Sequence, residues 1–153
     1  MLGDRPTRSR PTVNGIGGDV TDDESIRRVL AEFIQLRDDK RFAKWIELFT
    51  EDGTFEYGAH HLVGRSAIRE HVEELLRYDQ GKHLCVNSII DVAGDGASVS
   101  SDFLKVNPSN NDSGAIGYAI GTMGRYEDVF VRRDGEWKIA SRKVHIMSPT
   151  EGA

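Results

Sequence analysis

Between His83 and Met147 the chain is written as four strand-like runs separated by strong turn signals, and this stretch limits the fold more than any other. "HLCVNSIIDV" leads through Gly94-Asp95-Gly96 into "ASVSSDFLKV", and a polar loop, "NPSNNDSG", precedes the long run "AIGYAIGTMGRYEDVFVRR". Asp134-Gly135 is a two-residue hairpin signal, after which "EWKIASRKVHIM" returns beside the preceding strand. Such runs pair as neighbours in a meander, and one face of that sheet must be covered.

The N-terminal half supplies the cover. Thr21 or Asp22 can cap a helix whose apolar residues Ile26, Val29, Leu30, Phe33 and Ile34 recur every three or four positions, which predicts a helix to about Asp39. A shorter helix follows in "RFAKWIELFTEDG", with Phe42, Trp45, Ile46 and Phe49 on one face before a turn at Asp52-Gly53. "TFEYG" reads as a brief strand with Phe55 and Tyr57 on one side and Thr54 and Glu56 on the other. Ser66 is the expected cap of a third helix that buries Ile68, Val72, Leu75 and Leu76. Helices placed before a mainly antiparallel sheet indicate an α+β fold: a curved sheet wrapped on its N-terminal helices into a cone.

Residues 1–20, rich in Pro, Gly and Arg, read as a flexible arm, 21–148 as the domain, and 149–153 as a flexible tail. With 153 residues, 38% of them hydrophobic, the chain supports one domain. A net charge of -5 makes a phosphate-neutralising surface, and hence a nucleic-acid partner, unexpected. A single cysteine, Cys85, permits neither an intramolecular disulfide nor a cysteine zinc site, and suits a reducing, cytoplasmic compartment. No apolar run approaches the ~18 residues of a membrane span, and no secretory signal is legible, so neither membrane insertion nor export is expected.

Chemistry-bearing residues concentrate in "KHLCVN". Alternation puts His83, Cys85 and Asn87 on one face and Leu84, Val86, Ile90 and Val92 on the other. If the first face lines the mouth of the cone, His83 needs an orienting carboxylate. Asp38 lies one turn after Ile34, close to the apolar stripe of the first helix, whereas Asp39 stacks over Gln35 on its outer face. The same count puts Arg37 near the stripe. Against the functional reading, a strand histidine is often structural and paired aspartates near a helix end are often a solvated terminus. Cys85 reads as a small buried hydrophobe, His60-His61 as a surface turn and His71 as solvent-facing. No metal-ligand spacing occurs. On the last hairpin, Arg133 opposite Glu136 brings Glu127 to Arg142 as an exposed ion pair. Tyr126, Asp128 and Phe130 then share a face with Trp137, Ile139 and His145, making Tyr126 and His145 pocket candidates; a bulge near Gly124 would invert the count.

Three segments, "RDDKRFAKWIELFTEDGTFEY", "HLCVNSIIDVAGDGASVSSDF" and "GRYEDVFVRRDGEWKIASRKV", resemble the SnoaL-like group of the nuclear transport factor 2-like superfamily, across about Asp22 to Ile146. The resemblance implies the cone-shaped α+β barrel and is nearest to the scytalone dehydratase and hexachlorocyclohexane dehydrochlorinase branch. There an aspartate near the end of the first helix orients a strand histidine that removes a proton. Asp38 and His83 match those two residues, and Tyr57 falls where scytalone dehydratase has a tyrosine that helps polarise a carbonyl. Tyr126 falls among pocket-lining positions, and Arg142 near a basic pocket residue of the dehydrochlorinase, against the face count. Arg37 departs from the pattern by replacing a tyrosine, and "DFLKVNP" lacks the dehydratase's second histidine.

The resulting expectation is a cofactor-independent, metal-free, dehydratase-like lyase for a small hydrophobic or aromatic oxygenated substrate. Asp38, His83 and Tyr57 would be catalytic, and Phe55, Asn87, Tyr126, Arg142 and His145 would contact substrate. An isomerase or cyclase using the same dyad, or a noncatalytic ligand-binding or assembly subunit, are the alternatives; ring-hydroxylating dioxygenase small subunits are noncatalytic members of the superfamily. Pairing through the outer sheet face, with Val129, Val131 and Ala140 contributing, would give a homodimer or a higher homo-oligomer.

Overall fold

Thr21 opens the first helix with a capping box: its Oγ1 accepts from the Glu24 N–H at 3.2 Å, and the Glu24 carboxylate accepts from the Thr21 N–H at 2.9 Å. Three acidic residues in the first turn, Asp22, Asp23 and Glu24, add a favourable interaction with the helix dipole. The computed structural model describes residues 20–110, 114 and 116–147, so the expected arm and tail lie outside the described residues, apart from Val20 of the arm. The elements run α1 (Asp22–Asp38), α2 (Phe42–Trp45), a 3₁₀ turn (Ile46–Leu48), β1 (Phe49–Tyr57), β2 (His60–Val63), α3 (Arg65–Leu76), β3 (Lys82–Ala93), β4 (Gly96–Asn110), β5 (Ile116–Arg133) and β6 (Glu136–Ile146). Among the described residues, no helix is long and apolar enough to cross a membrane.

The strands form a single curved, unclosed sheet in the order β2-β1-β6-β5-β4-β3, antiparallel throughout except between β1 and β6. Its inner face packs on the helices. Phe33 and Ile26 of α1, Trp45 of α2, Ile68 of α3, Phe49 of β1, Phe130 of β5 and Ile139 of β6 are fully buried in one core. At the turn end of the β5–β6 hairpin, Asp22 of α1 accepts from Trp137 Nε1 at 3.1 Å and from Arg132 at 2.8 Å, which pins the first helix to the hairpin.

Several local expectations are corrected. Asp52-Gly53 does not end the preceding segment as a turn. β1 is continuous from Phe49, and five residue steps from Phe49 to Thr54 face only two, Ile139 to Ser141, on β6. The extra residues bulge out of the ladder. α3 is capped by Gly64, at φ 85°, rather than by Ser66. Arg65 docks its start by donating from Nε and Nη2 to the Phe49 carbonyl at 3.0 and 2.6 Å. Leu75 is 53% exposed because the buried stripe steps four residues at a time, Ile68, Val72 and Leu76. His60 and His61 form the edge strand β2, opposite Tyr57 and Glu56, and His71 is half-buried against the His60 ring at 4.4 Å. The first half of the expected polar loop is strand, since β4 continues to Asn110. Pro108 is tolerated there because β3 ends its pairing at Val106 and leaves that edge of β4 free.

Candidate active site

The end of α1 and the start of β3 meet. Asp38 is the last residue of α1, and its two carboxylate oxygens both serve one residue: Oδ1 lies 2.7 Å from His83 Nδ1 and Oδ2 accepts the His83 backbone N–H at 2.8 Å. Both side chains are almost wholly buried, 3% and 8% exposed. Burial pushes the Asp38 carboxyl up, but the hydrogen bonds from the His83 ring and backbone outweigh it, and the group stays below its ordinary range. An ionised Asp38 has no proton to give, so Nδ1 must be the donor and Nε2 carries the lone pair. Burial also pulls the His83 imidazole below its ordinary value; Asp38 resists, while Arg37 and Lys105 add to the fall. The ring is therefore neutral at neutral pH and available as a base.

His83 lines a cavity of about 160 Å³ together with Phe55, Tyr57, Tyr126, Phe103, Arg37 and Lys105. Val72, Leu75 and Leu76 of α3 and Val144 and Ile146 of β6 complete an apolar wall, with Thr122 as a further polar group. A cavity near 150 Å³ holds about one benzene ring, so the space suits a single-ring or similarly small ligand. The larger concavities along α3 and between α1 and the start of β6 are wide open and are not lined by His83.

The other residues expected to contact substrate divide sharply. Tyr126 is buried, stacks on Phe103 at 4.3 Å and accepts from both Arg37 Nη atoms at 3.5 Å. Phe55 and Tyr57 line the cavity as alternation along β1 predicts. Asn87 does not: β3 bulges between Val86 and Ile89, Asn87 adopts φ 52°, and its amide donates outward to Asp102 at 3.3 Å. The expected continuous apolar face is broken as well, leaving Leu84 and Val86 exposed on the outer surface while Cys85 packs against the core.

On the last hairpin the face count is overturned by one residue. Phe130 pairs with Ile139 but Val129 pairs with Ser141, so Ala140 is extra and every later residue of β6 changes sides. The bulge is at Ala140, not near Gly124. Arg142 thereby turns inward instead of pairing with Glu127, and His145 turns outward, where Nε2 meets the Glu127 carboxylate at 2.9 Å. Arg142 does not line the cavity. It is fully buried, forks onto Asp128 with two contacts of 2.6 Å, and its guanidinium sits 4.2 Å from the Tyr126 ring and 3.8 Å from that of Phe33. Burial works against its charge, but Asp128 more than restores it.

Sequence reasoning assigned no role to Arg37 or Lys105. Both left a signal: Arg37 follows Phe33 by four residues on the buried stripe, and Lys105 is directly opposite His83 in the β3–β4 ladder. Among the described residues, no group of three or more His, Cys, Asp or Glu could hold a metal ion.

A SnoaL-like domain model matches residues 18–143. Among solved structures, the chain is similar to Rv3472 of Mycobacterium tuberculosis, a protein of unknown function, with 28% identity over 82% of this chain and 76% of that one, at a TM-score of 0.73. It also shares the fold of a protein provisionally assigned as a scytalone dehydratase from Novosphingobium aromaticivorans, at 24% identity, 86% and 88% coverage and a TM-score of 0.70. The β subunit of a provisionally assigned aromatic-ring-hydroxylating dioxygenase from the same organism shares it too, at 19% identity, 82% and 88% coverage and a TM-score of 0.67. Among curated proteins, nothing matches the chain significantly.

Proposed function

The chain belongs to the SnoaL-like domain family, and from that premise we propose that it is a cofactor-independent lyase of the dehydratase type. Its substrate is a small hydrophobic or aromatic compound carrying a carbonyl and a hydroxyl group. The observation that carries this reading is the 2.7 Å contact between Asp38 and a neutral His83 on the wall of a small, largely apolar cavity. In the proposed reaction, His83 Nε2 takes the proton from the carbon next to the carbonyl, and the electron pair moves into an enolate. Tyr57 and Tyr126, both on the cavity wall, donate hydrogen bonds to the developing oxyanion. The enolate collapses, the bond to the β-hydroxyl breaks, and the departing oxygen takes the proton back from His83, giving an enone and water. Asp38 holds the tautomer and stabilises the transient imidazolium without itself becoming protonated.

A positioned base contributes typically ~10²–10⁴-fold. Loss of turnover of that order is expected in both Asp38→Asn and His83→Ala across a panel of hydroxylated ketones, with the circular dichroism spectrum unchanged. Full activity in folded His83→Ala would exclude the mechanism. Isomerisation would start with the same proton abstraction and return the proton elsewhere, so product analysis separates the two. We also propose that the protein works as a homodimer joined through the outer face of the sheet.

A further inference from the structure

Among the described residues, Arg37 is a buried charge whose donors are poorly served. It is 6% exposed and lines the cavity, yet its Nε has no hydrogen-bond partner, and both Nη atoms reach only a neutral phenol, Tyr126, at 3.5 Å. The Phe33 ring, 4.9 Å from its Cζ, and the ionised Asp38 carboxylate also favour its charge, but Asp38 takes no hydrogen bond from it. Nearby carboxylates are committed elsewhere. Both oxygens of Asp38 serve His83, Asp79 pairs with Lys105 at 2.8 Å, and Asp128 is forked onto Arg142. Among the described residues, the cavity wall contains two cations, Arg37 and Lys105, and no aspartate or glutamate.

A guanidinium has five donors in a planar fork that matches a carboxylate, and a buried one without such a partner is costly. Waters entering the cavity can serve some of those donors, but an oxyanion can meet the fork and neutralise its charge together. We propose that Arg37 is a specificity residue that selects a small carboxylate-bearing substrate, seating the carboxylate on its guanidinium and presenting the rest of the molecule to His83. The inference rests on the cavity being the substrate site and names the class of substrate it takes. The second cation, Lys105, is already paired with Asp79, which leaves Arg37 as the cation on the wall without a carboxylate bonded to it.

The test separates binding from turnover. Benzoate and benzamide have nearly the same shape and differ in charge, and the cavity admits one ring. Isothermal titration calorimetry of the wild-type protein is expected to give benzoate at least about tenfold tighter binding than benzamide, the range for a hydrogen bond to a charged group. Arg37→Gln should abolish that preference by weakening benzoate far more than benzamide, and Arg37→Lys should restore part of it. Equal affinity for the two compounds in the wild type, or no benzoate binding at millimolar concentration, overturns the proposal even if the variants fail to fold. The readout does not need catalysis: an active His83→Ala that still prefers benzoate would refute the dehydratase mechanism and leave the role of Arg37 standing.

Discussion

His83 is held by two bonds from one carboxylate, and the consequence is a base whose charge state is set before substrate arrives. Burial, Arg37 and Lys105 all disfavour the imidazolium, and Asp38 only partly opposes them, so the folded pKa lies below the ordinary 6.5. Protonated His83 cannot accept a proton, so kcat/KM should be flat above that value and fall with unit slope only at lower pH. A midpoint at or above 6.5 in the acid limb would mean that another group is being titrated. Asp38 and His83 were legible from the sequence because helix and strand periods favoured them, with no irregularity between each residue and the nearest apolar marker, and the family resemblance matched both. Asn87, Arg142 and His145 were not. Asn87 sits inside the β3 bulge, Arg142 and His145 lie beyond the one at Ala140, and one inserted residue reverses every side chain that follows it in the strand.

That reversal is what gives β5 and β6 their internal charge pair. Without the extra Ala140, the inward face of β6 would continue from Trp137 and Ile139 to Ser141 and Lys143, and Arg142 would face water. With it, Asp128 and Arg142 meet across the ladder in the core, and the guanidinium supports the Tyr126 ring that lines the cavity. The pair is useful less for net stability than for fixing this register, because a buried pair roughly offsets its own desolvation. Removing one member is a different matter. Asp128→Ala leaves Arg142 buried and unpaired, and should lower the unfolding free energy by about 3–5 kcal/mol in urea denaturation, as expected for breaking a buried pair. Replacing both residues with leucine should recover much of that loss. If Asp128→Ala unfolds at the wild-type midpoint, the pair does not hold the two strands in register. The hairpin itself was readable from Asp134-Gly135, since turn chemistry is local; the slip at Ala140 has no local signature of that kind.

At the scale of the molecule, one face of the sheet is spent on the helices and the other is left uncovered. The outer face carries Leu84, Val86 and Ile89 on β3, Met123 and Val129 on β5, all more than a third exposed. Val131, expected to share in the interface, is only half-exposed, as is Ala140 at the bulge, so the available apolar surface is centred nearer β3 than the sequence indicated. A trough of about 390 Å³ runs between Ile89 and Val129, floored partly by the small residues Ser98, Ser100 and Ser141. A bulky residue of a second copy could fill it, and two such sheets stacked about a two-fold axis would each cover the other's exposed side chains. The expected outcome in sedimentation velocity is a dimer at micromolar concentration, shifted toward monomer by the double substitution Ile89→Arg and Val129→Arg with helix and strand content preserved. A wild-type protein that sediments as a monomer would mean this apolar face is not a self-association surface. Because the cavity is built within one chain, the monomeric double variant should keep the benzoate preference set by Arg37. Loss of that preference on dissociation would instead tie the site to the assembly.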